Sequence, residues 1–120
     1  MAAIKMYMYK GCGTCKKASR WLNEQCIAFD EIPIREQPPT LPELKRMLKA
    51  QEGALRKLFN TSGGDYKTMN MKEVLTTLSD DEALQLLAKH GNLVKRPFVV
   101  SKDVMLVGFK EADWAGAFGQ

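Results

Sequence analysis

Lys10-Gly11-Cys12-Gly13-Thr14-Cys15-Lys16-Lys17 is the stretch on which the fold of this chain turns. Before it, Ile4-Lys5-Met6-Tyr7-Met8-Tyr9 reads as a short strand rich in apolar and aromatic residues. After it, Cys15, Ala18, Leu22 and Cys26 fall at helical spacing with Trp21 beside them, the apolar stripe of a helix packed on a sheet. The cysteine pair therefore belongs at a strand-to-helix turn, on the first turn of the helix. Free backbone N–H groups at a helix start favour negative charge, and a cysteine attacks as its thiolate. The charges agree, since Lys5, Lys10, Lys16, Lys17 and Arg20 all precede the first acidic residue, Glu24. Cys12 is expected to project outward as the nucleophile. Cys15, on the inward stripe, is expected to be the buried resolving partner.

Other uses of a Cys-x-x-Cys fit less well. Cys26 lies eleven residues beyond Cys15, about 16 Å along a helix, too far to complete a tetrahedral zinc site with the pair. A purely structural bridge across one helical turn closes too short a loop to stabilise much. Redox or thiol chemistry is the remaining use, and no metal is expected. Cys26 is expected to be a core thiol at the end of the first helix, and His90 a capping side chain near a helix C-terminus.

The 120 residues are 45% apolar, enough for one ordinary core, and a single domain over 1–120 is expected. No leader with an apolar centre and no apolar run of membrane-spanning length stands in the sequence, so no membrane contact is expected. Three cysteines are not a disulfide framework, and a reducing cytoplasm is the expected location. The net charge of +4 and a pI near 9.0 suit an anionic small substrate or an acidic partner. Without interleaved aromatics or a recognisable motif, direct binding of nucleic acid is not expected.

Along the chain, Ile27-Ala28-Phe29-Asp30-Glu31-Ile32 reads as a second strand, parallel to the first through a right-handed crossover. A helical insert over about 40–92 follows. Thr40 with Glu43 forms a capping box, Gly53 breaks the helix, and a short helix holds Leu55, Leu58 and Phe59. Another runs from about Lys72 to Leu78, and Ser79 with Glu82 opens a helix over Asp80–His90 that Gly91 closes. Phe98-Val99-Val100 and Val104-Met105-Leu106-Val107 read as an antiparallel hairpin, and a last amphipathic helix covers about Glu111 to Phe118. The fold class is α/β: a thioredoxin-like β-α-β / β-β-α sheet with a helical insertion between the second and third strands.

Four segments in this order carry a resemblance. They are Cys12-Gly13-Thr14-Cys15, Asn60-Thr61-Ser62-Gly63 followed by Tyr66-Lys67, Lys95-Arg96-Pro97-Phe98-Val99-Val100, and Val107-Gly108-Phe109-Lys110. Together they resemble the arsenate reductase ArsC family, which includes the Spx redox-responsive transcription regulators. The resemblance implies Cys12 as the catalytic cysteine. Glutaredoxin-coupled arsenate reductases commonly have serine where this chain has Cys15, and the pair here is Spx-like, a reversible disulfide switch. Of the family's three oxyanion-binding arginines, Arg56 and Arg96 match two, while the third position falls at Gly108. One charge-assisted donor is worth about 1.5–3 kcal/mol, so efficient arsenate reduction is not expected.

The resemblance further implies Arg56, Arg96, Gly13 and Thr14 as substrate-binding residues and a cis Arg96–Pro97 peptide. Arg96 would then sit beside Cys12, among the catalytic residues with Cys12 and Cys15. No bound cofactor is implied; glutathione with glutaredoxin, or thioredoxin, is the reductant of such proteins. Gly53 matches the glycine by which Spx regulators contact the RNA polymerase alpha subunit, but the helix break that its sequence context requires is the favoured reading. The short run after Lys110 lacks the longer tail of Spx, and the reductase-like members are the nearer expectation.

Overall fold

Alternation along the first strand sets the architecture of the computed structural model, which describes residues 4–61 and 63–119. In β1 (Lys5–Met8), Met6 and Met8 turn to one face of the sheet and Tyr7 to the other, as a period of two requires. The third strand, β3 (Phe98–Val100), sends Val99 to the first face and Phe98 and Val100 to the second. With β2 (Asp30–Pro33) and β4 (Met105–Val107), these make a four-stranded sheet in the order β2-β1-β3-β4. β1 pairs parallel with β2 and antiparallel with β3, and β3 pairs antiparallel with β4. This is the expected thioredoxin-like arrangement.

One face is covered by two helices. Helix α1 (Gly13–Glu24) buries Cys15, Ala18, Trp21 and Leu22 against Met6, Met8 and Val99. The last helix, α6 (Glu111–Ala117), adds Trp114, whose ring meets Trp21 edge-on with centroids 6.0 Å apart. Phe109 stands 4.9 Å from the Trp114 ring, and the indole N–H donates to the Gly108 carbonyl at 3.1 Å. A buried indole thus keeps its polar atom satisfied.

The inward stripe stops earlier than its period suggests. Helix α1 ends at Glu24, and Cys26 takes a left-handed conformation with φ 58°. Its N–H donates to Asn23 at 3.1 Å and that of Ile27 to Leu22 at 2.9 Å, the paired bonds of a Schellman closure. That turn throws Cys26 into solvent, and the expectation of a core thiol is overturned. It also lets Ile27 and Phe29 pack on the α1 face as loop residues, so β2 starts at Asp30 and not at Ile27.

The other face is covered by the insert. Helix α2 (Leu41–Ala50) opens with the Thr40/Glu43 capping box and closes with a second Schellman turn, Glu52 at φ 58° and Gly53 at φ 78°. Its cap is tied to the sheet, because the Tyr7 hydroxyl donates to Glu43 at 2.7 Å and Lys5 reaches the same carboxylate at 3.4 Å. Burial pushes the Glu43 pKa up, but bonds from Thr40 and Tyr7 and the Lys5 charge outweigh it, and the carboxyl lies below its ordinary range. Burial, then the Glu43 bond and charge, raise the Tyr7 pKa.

A single 3-10 turn at Leu55–Leu58 follows, then α3 (Gly64–Thr68), α4 (Met71–Val74) and α5 (Asp80–Lys89). The helix expected from Lys72 to Leu78 is shorter and earlier. Past Val74 the Thr76 and Thr77 hydroxyls bond back to the Glu73 and Val74 carbonyls, competing with the helical ladder. Ser79 and Glu82 form the second capping box as expected, and exposed His90 is the C-cap. Gly91 is needed for a reason other than helix closure: a Cβ there would run into the Ile34 carbonyl oxygen. Between β3 and β4 the hairpin turn is held from outside by Arg46, which donates to the Ser101 and Lys102 carbonyls at 2.8 and 3.2 Å.

Candidate active site

Cys12 is the N-cap of α1, and its Sγ accepts the Cys15 backbone N–H at 3.2 Å. A thiol does here what serine or aspartate does at most helix starts. Cys12 is half-buried, Cys15 is fully buried, and both are free thiols. Burial first, and then the bond to Cys12, push the Cys15 pKa up to about 12, against opposing help from the Tyr9 backbone and the Arg96 charge. Cys15 therefore keeps its proton at neutral pH. The pair divides into an accessible sulfur at a helix start and a protonated sulfur behind it.

Backbone pairing outside the sheet gathers the cations. Phe59 bridges Val94, Asn60 N–H donates to Leu93 at 2.7 Å, and Lys95 N–H donates to Leu58 at 2.8 Å. This clamp sets the 3-10 turn carrying Arg56 beside the segment carrying Arg96. Both line one cleft of about 630 Å³, together with Thr14, Lys57, Lys95, Gly108 and Lys110. Five cations meet one carboxylate there, Asp113. Thr14 brings the cysteine turn to the edge of this cleft, whereas Cys12, Gly13 and Cys15 are not on its wall. Ser62, part of the motif that follows the clamp, lies outside the described residues.

The Arg96–Pro97 peptide is cis, as expected. The Arg96 guanidinium lies over the Tyr9 ring, 5.2 Å from its centroid, and its charge is felt at Cys15. Its Nη1 is buried with no hydrogen-bond partner. Gly108, the position without an arginine, has φ 72° and bonds through its N–H to the Pro97 carbonyl at 2.9 Å. That left-handed backbone suits glycine. The Lys95 side chain passes 3.4 Å from where a Cβ would stand, so lysines occupy this corner. A second concavity of about 660 Å³ along α1 and β2 mixes Lys10, Lys16 and Arg20 with Glu24 and Glu31 and holds neither thiol. Among the described residues no group of three or more His, Cys, Asp or Glu side chains is placed to hold a metal ion. None of the described helices is long and apolar enough to cross a membrane.

A thioredoxin-like sheet with a Cys-x-x-Cys helix start and a cis-proline ahead of β3 defines a broad class of thiol proteins. The particular branch follows from comparison: the ArsC family model matches residues 7–117, and the chain belongs to that family. The uncharacterised protein YusI of Bacillus subtilis is 46% identical over 109 residues, 91% of this chain and 92% of that one. The global transcriptional regulator Spx of Enterococcus faecalis is 30% identical over 108 residues, 90% of this chain and 80% of the regulator. Among solved structures, an ArsC family related protein from Bacteroides fragilis superposes with a TM-score of 0.87 at 38% identity, covering 98% of this chain and 99% of that one.

Tyr9 and Arg35 were not singled out in the sequence. Arg35 stands 4.8 Å from the Tyr9 centroid, so the ring that follows β1 carries two guanidinium groups. The only sequence signal was a tyrosine directly before the cysteine loop.

Proposed function

We propose that the protein is a thiol-dependent oxidoreductase of the ArsC type, with Cys12 as nucleophile and Cys15 as resolving thiol. The observation that carries this is the Cys12 sulfur capping α1 while Cys15, buried and protonated, waits one turn along. On a disulfide RSSR′, the Cys12 thiolate attacks one sulfur, forms Cys12–S–S–R and expels R′S⁻. The Cys15 thiol, giving up its proton to solvent or to the departing thiolate, attacks the Cys12 sulfur and releases RSH. The product is a Cys12–Cys15 disulfide, which glutathione with glutaredoxin, or thioredoxin, reduces back with two electrons. On an arsenate-like oxyanion, Cys12 displaces hydroxide to form an As–S bond. A second thiol then attacks the Cys12 sulfur, and the As–S electron pair stays on arsenic as it becomes As(III).

Arg56, Arg96 and Thr14 at the cleft wall, with Gly13 in the turn, would hold the anionic substrate. With Gly108 in place of a third arginine, disulfides suit the site better than arsenate. A cytoplasmic setting, where such reductants are abundant, fits this chemistry.

A second reading has its own support in the Spx relatives and in Gly53, which is exposed at φ 78° with open space beyond it. Here the same dithiol is a redox switch, and the surface around Gly53 engages the RNA polymerase alpha subunit. One panel separates the two: purified protein is offered arsenate, glutathione mixed disulfides and the C-terminal domain of polymerase alpha. Turnover of a disulfide that vanishes in Cys12→Ser supports the enzyme. Tight, redox-dependent binding of the polymerase domain without turnover sinks it in favour of the switch.

A further inference from the structure

We propose that Tyr9, Arg35 and Arg96 form a recognition ledge for the carboxylates of a small disulfide substrate, a role resting on the oxidoreductase reading above. The ledge is built into the cysteine loop. Tyr9 is the residue after β1, its carbonyl accepts the Cys12 N–H at 3.0 Å, and its ring packs against Gly11, where a Cβ would fall 2.6 Å from Cε2. Above that ring lie Arg35 at 4.8 Å and Arg96 at 5.2 Å, distances that cap the separation of the two guanidinium carbons at 10.0 Å. The ring attracts each cation. The cations themselves repel, and nothing anionic answers them: among the described residues the one ion pair is Lys5–Glu43, on β1 and α2.

Arg96 carries the second observation. Its Nη1 is buried and donates to nothing, which an N–H donor in a folded protein rarely does without an acceptor to come. A guanidinium fork held beside a ring offers bidentate pairing to a carboxylate.

The placement also bears on the shape of the ligand. Arg96 lines the cationic cleft, but Tyr9 and Arg35 do not. A molecule that meets Arg35 as well as the cleft runs past Arg96. A small disulfide bearing carboxylates on its substituents has that shape, with its sulfurs left near the loop that holds Cys12. Arg35 is the specificity-determining residue of this arrangement, because it is exposed and enters no hydrogen bond or ion pair among the described residues.

The test uses a probe that cannot react. S-methylglutathione and its diethyl ester are titrated into the reduced, full-length protein and followed by amide NMR shifts. The free acid should bind with shifts around Tyr9 and Arg35, and the ester at least about 5-fold more weakly. Arg35→Gln should weaken the acid by about 10-fold, close to the low end for losing a charge-assisted bond. Tyr9→Phe keeps the ring and should bind like the wild type, whereas Tyr9→Leu should bind like Arg35→Gln. Equal affinity for acid and ester, an unchanged affinity in Arg35→Gln, or no shifts at millimolar probe would each overturn the ledge. Failure of the oxidoreductase reading shows elsewhere, as no exchange between Cys12 and the neutral 2-hydroxyethyl disulfide.

Discussion

The two faces of the sheet are built by different means. Under α1 and α6 lies a compact aromatic nest of Trp21, Phe109, Trp114 and Phe118, in which each ring touches at least one other. Over the opposite face the insert packs a larger apolar cluster, with Leu44, Met47, Leu58, Phe59, Leu84 and Leu87 fully buried, but assembles it from many separate pieces, three of them only four or five residues long. The thiols sit on the first face and most of the cations come from the second. A continuous helix fixes the nucleophile's place, while the anion-binding side chains ride on segments that a loop clamp brings together. The position of the sulfur therefore depends on one helix, and that of the cations on the pairing of segments distant in sequence.

Removing one ring from the nest should show how concentrated that first face is. Trp114→Ala empties a fully buried site and strands the Gly108 carbonyl, and a loss of about 3–5 kcal/mol is expected in urea unfolding. A loss under about 1 kcal/mol would mean that the aromatic face is not the stable one.

On the insert side a close backbone approach gives a second probe. Gly91→Ala drives a methyl group into the Ile34 carbonyl, which cannot rotate away, and should cost about 1–3 kcal/mol as overpacking. Equal stability of variant and wild type would show that the insert shifts freely over β2.

The Glu43 cap gives the smallest effect and the only one with a pH signature. Glu43→Gln should cost about 1 kcal/mol at neutral pH. Because the folded carboxyl titrates below its ordinary 4.5, its contribution is complete above that pH and fades as pH falls through the lowered folded value. The gap between variant and wild type should thus close in acid; a gap constant down to pH 3 would remove the charge from the explanation.

Much of this was legible in the sequence because it rests on local signals. Both capping boxes, the hairpin around Ser101-Lys102-Asp103 and the cysteine turn are each written within a few neighbouring residues. Cys26 was misplaced because its spacing continues the helical stripe, and a non-glycine residue in a left-handed closure leaves no mark in the sequence. The Ile27–Phe29 stretch looked like strand for a related reason: it is apolar, yet it packs as a loop behind that closure. Helix α3 escaped notice because Gly64-Asp65-Tyr66-Lys67-Thr68 has turn composition, and its one anchor is Tyr66 packed on Phe59, 6.2 Å between centroids. At the site, Arg56 and Arg96 needed the family resemblance, since forty residues separate them and only the clamp at Leu58, Asn60, Leu93 and Lys95 unites them. Arg35 could not be read at all, because a cation over a ring is a tertiary contact.

The division of labour between the two thiols is tested most directly by trapping. Wild-type protein and Cys15→Ser are each mixed with a small excess of glutathione disulfide, quenched in acid and mapped by mass spectrometry without reduction. The Cys15→Ser variant should accumulate one glutathione adduct on Cys12. The wild type should pass through that adduct to a Cys12–Cys15 bridge and leave Cys26 unmodified. An adduct that settles on Cys26, or that persists on Cys12 of the wild type with Cys15 still free, would contradict the assignment of nucleophile and resolving thiol.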